Sequence, residues 1–128
     1  MNKLGDLSCN EFLTELASAA PAPGGGGGAA MAGALAAALA SMVANLTIGK
    51  EKFADLEPEV KELLKQAEAE RVRLLALVDE DAAVFNSFMS CYKLPKTTDE
   101  EKAARTAVIR AAAKQAATVP LNIARSSF

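Results

Sequence analysis

Histidine and tryptophan are both absent from this chain of 128 residues, and its other aromatics are one tyrosine and five phenylalanines. Without imidazole there is no Ser–His or Cys–His catalytic pair and no zinc site built on histidine. Acid–base chemistry is left to Asp, Glu, Lys, Tyr or Cys. The two cysteines, Cys9 and Cys91, stand far apart with no C-x-x-C spacing, so the sequence suggests neither a disulfide framework nor a metal site. Positive charge is not in excess either. Fourteen Lys and Arg face sixteen Asp and Glu, a net charge of −2, and the basic footprint of a nucleic-acid binder is lacking.

Charge is missing altogether from Leu16 to Gly49. About 20 apolar residues cross a bilayer, but this stretch contains two prolines and a glycine block, and its helical part is mostly alanine with Ser41, Asn45 and Thr47 inside it. A buried bundle helix accounts for it better than a membrane span. The first dozen residues carry Asp6 and Glu11 and no continuous apolar core, so they do not read as a signal peptide. The expectation is one cytoplasmic domain over residues 1–128, without nucleic-acid or membrane partners.

What is present is helix, with no convincing strand. Ser8 with Glu11 three residues on is a capping-box signature that opens a helix to about Ala19, before Pro21 and Pro23. A second helix follows the glycines to about Ile48, with Gly49 as its stop. In it Met31, Leu35, Leu39, Met42 and Leu46 form a large-residue stripe, and Ala29, Gly33, Ala37, Ser41 and Asn45 form a mostly small line. Both lines together predict a central helix packed on more than one side. A third, long helix is expected from about Pro58 to Tyr92, its stripe reading Val60, Leu63, Leu64, Ala67, Leu74, Val78, Phe85, Phe88, Tyr92. Thr98 and Glu101 make a second capping box, opening a helix with Ala104, Val108, Ala111 and Ala112 on one side. Pro120 is expected to kink that helix, or to split it after Thr118. The predicted fold class is all-α, a bundle of about four helices with one long central helix, completed by dimerisation.

One residue departs from its pattern. Asp81 shares a face with Leu74, Val78, Phe85, Phe88 and Tyr92, and a carboxylate inside an apolar stripe is costly unless paired or protonated. Two readings follow. Asp81 either caps or bridges to a neighbouring helix, through Lys50 or Arg71 for instance, or serves as an acid that donates a proton in catalysis. Its neighbours Asp79 and Glu80 read as plain surface acids. The glycines are similarly open. Gly24, Gly26 and Ala29 fit G-x-G-x-x-A but follow a helix, not a strand, and no lysine follows closely enough for a P-loop. They form either a flexible connector or a helix start whose amides hold a carboxylate or other anion.

Taken in order, PAPGGG before an alanine-rich helix, SMVANLTIGKEKF, LVDEDAAVFNSFM, KLPKTTDEEKAAR and ATVPL resemble the cyclodeaminase/cyclohydrolase family of helical folate enzymes. The resemblance implies a homodimeric all-helical enzyme without metal or redox cofactor. Its substrate would be a tetrahydrofolate derivative, with 5-formiminotetrahydrofolate closing to 5,10-methenyltetrahydrofolate and releasing ammonia. A cyclohydrolase that opens the methenyl bridge with water, or a non-catalytic helical dimerisation module, are the alternatives. It also implies that Asp81, in the D-A-x-x-F segment with Phe85, protonates the leaving amine. By the same resemblance Gly24, Gly25 and Gly26 belong to a loop that closes over the folate, and Lys50 and Lys52 face its glutamate carboxylates. Where the family reads PGGGSV this chain has Gly27 and Gly28, and the family's C-terminal third is expected to be missing.

Overall fold

The computed structural model describes residues 3–128, and every structural statement below concerns these residues. Four α-helices carry the architecture: α1 (Cys9–Leu16), α2 (Gly25–Thr47), α3 (Glu57–Ser90) and α4 (Asp99–Ser127), with short 3-10 turns at Leu4–Asp6, Glu51–Leu56 and Cys91–Lys93. No strand occurs among the described residues.

Both capping boxes form as their sequences require. The Ser8 hydroxyl accepts from the Glu11 N–H while the Glu11 carboxylate accepts from the Ser8 N–H, and Thr98 and Glu101 repeat the arrangement at the start of α4. Gly49 ends α2 with φ +83°, a left-handed conformation suited to glycine. Two boundaries differ from expectation. α1 closes at Leu16, earlier than Ala19. α4 runs through Pro120 as one helix, with no split after Thr118.

Packing centres on the long contact of α2 with α3, with α4 laid mainly on α3 and less on α2. The core is Phe12 from α1, Ala30 and Ala34 from α2, Leu74, Leu77 and Val78 from α3, and Val119 and Ile123 from α4. α3 is 34 residues, roughly 50 Å at 1.5 Å per residue. It outruns its neighbours, so its predicted stripe is buried only in the middle. Leu63 towards one end and Phe85 and Tyr92 towards the other are exposed. On α4 the packed side runs through Ile109, Ala112, Ala116, Val119 and Ile123, and the expected Ala104, Val108 and Ala111 face outward.

The arrangement of α2 corrects the sequence reading most. The helix buries Gly27, Ala30, Ala34, Ser41 and Ala44, while Leu35, Leu39, Met42 and Leu46 are each half exposed or more. Of the predicted every-fourth line, Ala29 and Asn45 are exposed and only Ser41 is fully buried. The reason is geometric: a step of four residues overshoots one turn by about 40°, so a long every-fourth line winds off any face. Mixed steps of three and four stay on it. Small residues inside bring the α2 and α3 backbones close, and the large ones are left outside. α2 is thus packed mainly on one side. Its 23 residues have a mean hydropathy of 1.7 over the most apolar window, long and apolar enough by that measure to cross a membrane.

Candidate functional site

The glycine block is not a loop. Gly25 to Gly28 are already the first turn of α2, with Gly24 as its N-cap and no side-chain cap. The Gly28 N–H reaches back to the Gly24 carbonyl at 2.9 Å. The amides of Gly25, Gly26 and Gly27 precede the first intrahelical bond, so they are free for another acceptor. Pro23 is buried beneath this turn, following a cis Ala22–Pro23 bond.

Against this turn lies Asp81. A Cβ built on Gly26 would stand 2.5 and 2.7 Å from the two carboxylate oxygens and 2.8 Å from Cγ. The missing side chain at Gly26 thus leaves room for the carboxylate in its present position at the helix start, and a Cβ there would make the Asp81 side chain shift. The same turn packs inward, since a Cβ on Gly27 would meet Pro23 at 3.3 Å. Asp81 is half-buried, and no hydrogen bond or ion pair to its carboxylate occurs among the described residues. The bridging alternatives fall away. Arg71 is taken by Glu68 at 2.6 Å, which holds the Glu68 carboxyl below the usual carboxylate range, and Lys50 is exposed elsewhere.

Asp81 opens into a cavity of about 320 Å³ whose walls include Gly24, Gly25, Gly26, Phe85 and Pro120. Helix starts favour negative charge, so a carboxylate and a set of unpaired amides converge on one small space. A second cavity of about 410 Å³ adjoins it, sharing Ala22 and Ala82 and adding Lys3, Asp79 and Asn86. Five of the seven residues expected at the site, Gly24, Gly25, Gly26, Asp81 and Phe85, thus line one cavity.

Lys50 is not with them. It caps the 3-10 turn Glu51–Leu56 beyond the far end of α2, roughly 35 Å of helix from the glycines. Lys52 lies in the same turn with its ammonium 5.5 Å from the Phe53 ring centroid. Asp79 is also misread by sequence. It is half-buried and accepts the Leu4 N–H at 2.6 Å, tying the N-terminal turn to α3. Pro120 was missed as a wall of the site. The signal for it was its place inside a helix, where proline is disfavoured by about 3 kcal/mol or more. No group of three or more His, Cys, Asp or Glu able to hold a metal ion gathers among the described residues.

The chain is similar to known proteins in sequence and in fold. Residues 8–128 match the family model described as Formiminotransferase-cyclodeaminase. The chain is 50% identical over 121 residues to a methenyltetrahydrofolate cyclohydrolase of Methylorubrum extorquens, covering 94% of this chain and 58% of that protein. It is 40% identical over 121 residues to the formimidoyltransferase-cyclodeaminase of Rattus norvegicus, covering 94% of this chain and 22% of that one. The crystal structure of formiminotetrahydrofolate cyclodeaminase from Thermotoga maritima superposes with a TM-score of 0.80 at 35% identity, over 97% of this chain and 58% of that chain. The chain thus spans little more than half the length of the cyclohydrolase and a smaller part of the rat protein.

Proposed function

The chain belongs to the formiminotransferase-cyclodeaminase family, and from that footing we propose that it opens 5,10-methenyltetrahydrofolate with water, Asp81 moving the protons. The observation that carries the reading is the Asp81 carboxylate set against Gly26 in the cavity with Phe85. The 50% identity to a cyclohydrolase favours hydrolysis over ring closure.

The methenyl carbon lies between two nitrogens and carries positive charge. Water adds to it, its oxygen bonding to carbon, and one of its protons passes to the Asp81 carboxylate. The resulting hydroxyl-bearing carbon then breaks its bond to one ring nitrogen. That nitrogen takes the proton back from Asp81, and the hydroxyl releases its own proton to solvent as the formyl group forms. One water is consumed and one proton released. A carboxylate that accepts and returns a proton within hydrogen-bond reach performs general acid–base work of this kind. A cavity of about 320 Å³ is near the lower end of ligand pockets, about 300–1,000 Å³. It holds the reacting bicyclic head, with Phe85 against a flat face, and the adjoining cavity takes the remainder.

Cyclodeaminase activity is the second reading, favoured by the rat relative and the Thermotoga structure. There the same carboxyl would protonate the departing amine as nitrogen 10 closes on the formimino carbon and ammonia leaves. A cytoplasmic homodimer belongs to the same proposal, with its mass to be read by light scattering.

The purified chain is offered methenyltetrahydrofolate and, separately, 5-formiminotetrahydrofolate, with Asp81→Asn alongside. Loss of methenyl absorbance that fails in the variant is expected. Ammonia release from the formimino substrate instead would establish the second reading. No turnover of either substrate by a folded sample would reduce the chain to a non-catalytic helical module.

A further inference from the structure

The cavity of about 410 Å³ that shares Ala22 and Ala82 with the Asp81 cavity is walled in part by Lys3 and Leu4. Several contacts hold this short segment in place. The Leu4 N–H donates to Asp79 Oδ1 at 2.6 Å, and the Leu4 side chain packs against the core. The Lys3 carbonyl accepts the Asp6 N–H at 3.0 Å, closing the turn that follows. Gly5 lies so near α3 that a Cβ there would stand 3.3 Å from both Asp79 Oδ2 and Leu75 Cγ. The Lys3 backbone is therefore fixed beside the cavity, while the residue itself is exposed. No other Lys or Arg stands among the residues that wall the two cavities. Their remaining charges are the carboxylates of Asp79 and Asp81, and Lys3 forms no ion pair among the described residues.

From this placement we infer that Lys3 binds the glutamate carboxylates of a tetrahydrofolate substrate and so contributes to substrate selection. The inference rests on the folate reading proposed above and adds to it a residue outside the region that matches the family, residues 8–128. A tetrahydrofolate derivative joins its bicyclic head through an aminobenzoyl ring to a glutamate, which carries two carboxylates. With the head beside Asp81 and Phe85, the tail passes Ala82 into the adjoining cavity. That cavity follows α3 from Asp79 to Asn86, roughly 10 Å at 1.5 Å per residue. Charge then decides where the tail ends. Asp79 and Asp81 repel a carboxylate, Asn86 offers a neutral amide, and Lys3 attracts it. Lys50 and Lys52 are excluded by their place beyond the far end of α2. An ammonium on a flexible stem meets a carboxylate without a fixed geometry, which suits a mobile tail. The pair is exposed, so its effect is a few-fold in affinity and not orders of magnitude.

The test is equilibrium dialysis of the 128-residue chain against 5-formyltetrahydrofolate, and against the same compound with both glutamate carboxylates methyl-esterified. Lys3→Gln should raise Kd for the free acid about two- to five-fold and leave Kd for the diester unchanged. Its circular dichroism spectrum should match that of the original chain, since Lys3 is exposed. Lys3→Arg keeps the charge and should bind the free acid as the original chain does. So should Lys65→Gln, which removes an exposed cation of α3 outside both cavities. In turnover of 5,10-methenyltetrahydrofolate, Lys3→Gln should raise KM by the same factor with kcat unchanged, as expected when binding is lost equally from ground and transition states. Equal affinity of Lys3→Gln and the original chain for the free acid overturns the inference. So does equal weakening of both probes, which would assign Lys3 to the fold and not to the tail. Either result leaves the role of Asp81 standing if Asp81→Asn still abolishes turnover. Failure of a folded chain to bind either probe overturns the folate reading and this inference with it.

Discussion

Gly26→Ala adds one methyl group and tests the placement of Asp81 directly. The new Cβ would stand 2.5 Å from a carboxylate oxygen. Non-bonded heavy atoms sit comfortably near 3.5 Å, so the carboxylate must retreat by about 1 Å. Two effects then compete in stability. Replacing glycine in a helical conformation stabilises by about 0.4–1 kcal/mol. Forcing the Asp81 side chain off its rotamer costs about 0.5–1.5 kcal/mol. The net change is between a small gain and a loss of about 1 kcal/mol, too little to unfold the chain. Activity responds more strongly, because a misplacement of about 1 Å can cost on the order of 100-fold in rate. Gly28→Ala provides the contrast. It lies in the same turn, its Cβ would meet only the Leu16 methyl groups at 3.4 Å, and it should stabilise by about 0.4–1 kcal/mol. With Asp81→Ala in the background the clash disappears, and Gly26→Ala should then stabilise as Gly28→Ala does. Thermal melts and turnover of all four variants make the comparison. If Gly26→Ala is as active as Gly28→Ala, the position of the Asp81 carboxylate does not govern the chemistry and the reasoning fails.

Other consequences are local. Leu74 is only 1% exposed at the meeting of α2, α3 and α4, so Leu74→Ala should lower stability by about 2–5 kcal/mol in denaturant melts. Asp79→Ala removes the acceptor of the Leu4 N–H. A bond to a charged group is worth about 1.5–3 kcal/mol when protected, and the half-buried site should give about 1 kcal/mol. For acid sensitivity, the Ser8 hydroxyl and then its backbone N–H hold the Glu11 carboxyl below the ordinary range. Its folded value is thus lower than its unfolded one. The stabilisation is complete above about pH 4.3 and is lost as pH falls through the folded value. Glu11→Gln should flatten that part of the acid melt followed by circular dichroism, and an unchanged profile would contradict the assignment.

Whatever rested on neighbours three or four residues apart could be read from the chain itself. The Ser8–Glu11 and Thr98–Glu101 boxes, the stop at Gly49 and the long helix behind Pro58 are satisfied within a turn or two, so local chemistry determines them. Asp81 was visible as a carboxylate out of pattern, because the period of a helix assigns it a face before any partner is known. Which face becomes interior was not legible. α2 offers small and large residues on different sides, and only the approach of α3 decides that the small ones go in. Asp79 met the Leu4 amide across 75 positions of sequence, Pro120 came to the site from another helix, and Lys50 was carried to the opposite end of α2. Such contacts depend on how rigid helices pack. A sequence pattern specifies the face a residue shares with its own turn, while the distance to a residue on another helix exists only once the two backbones have met.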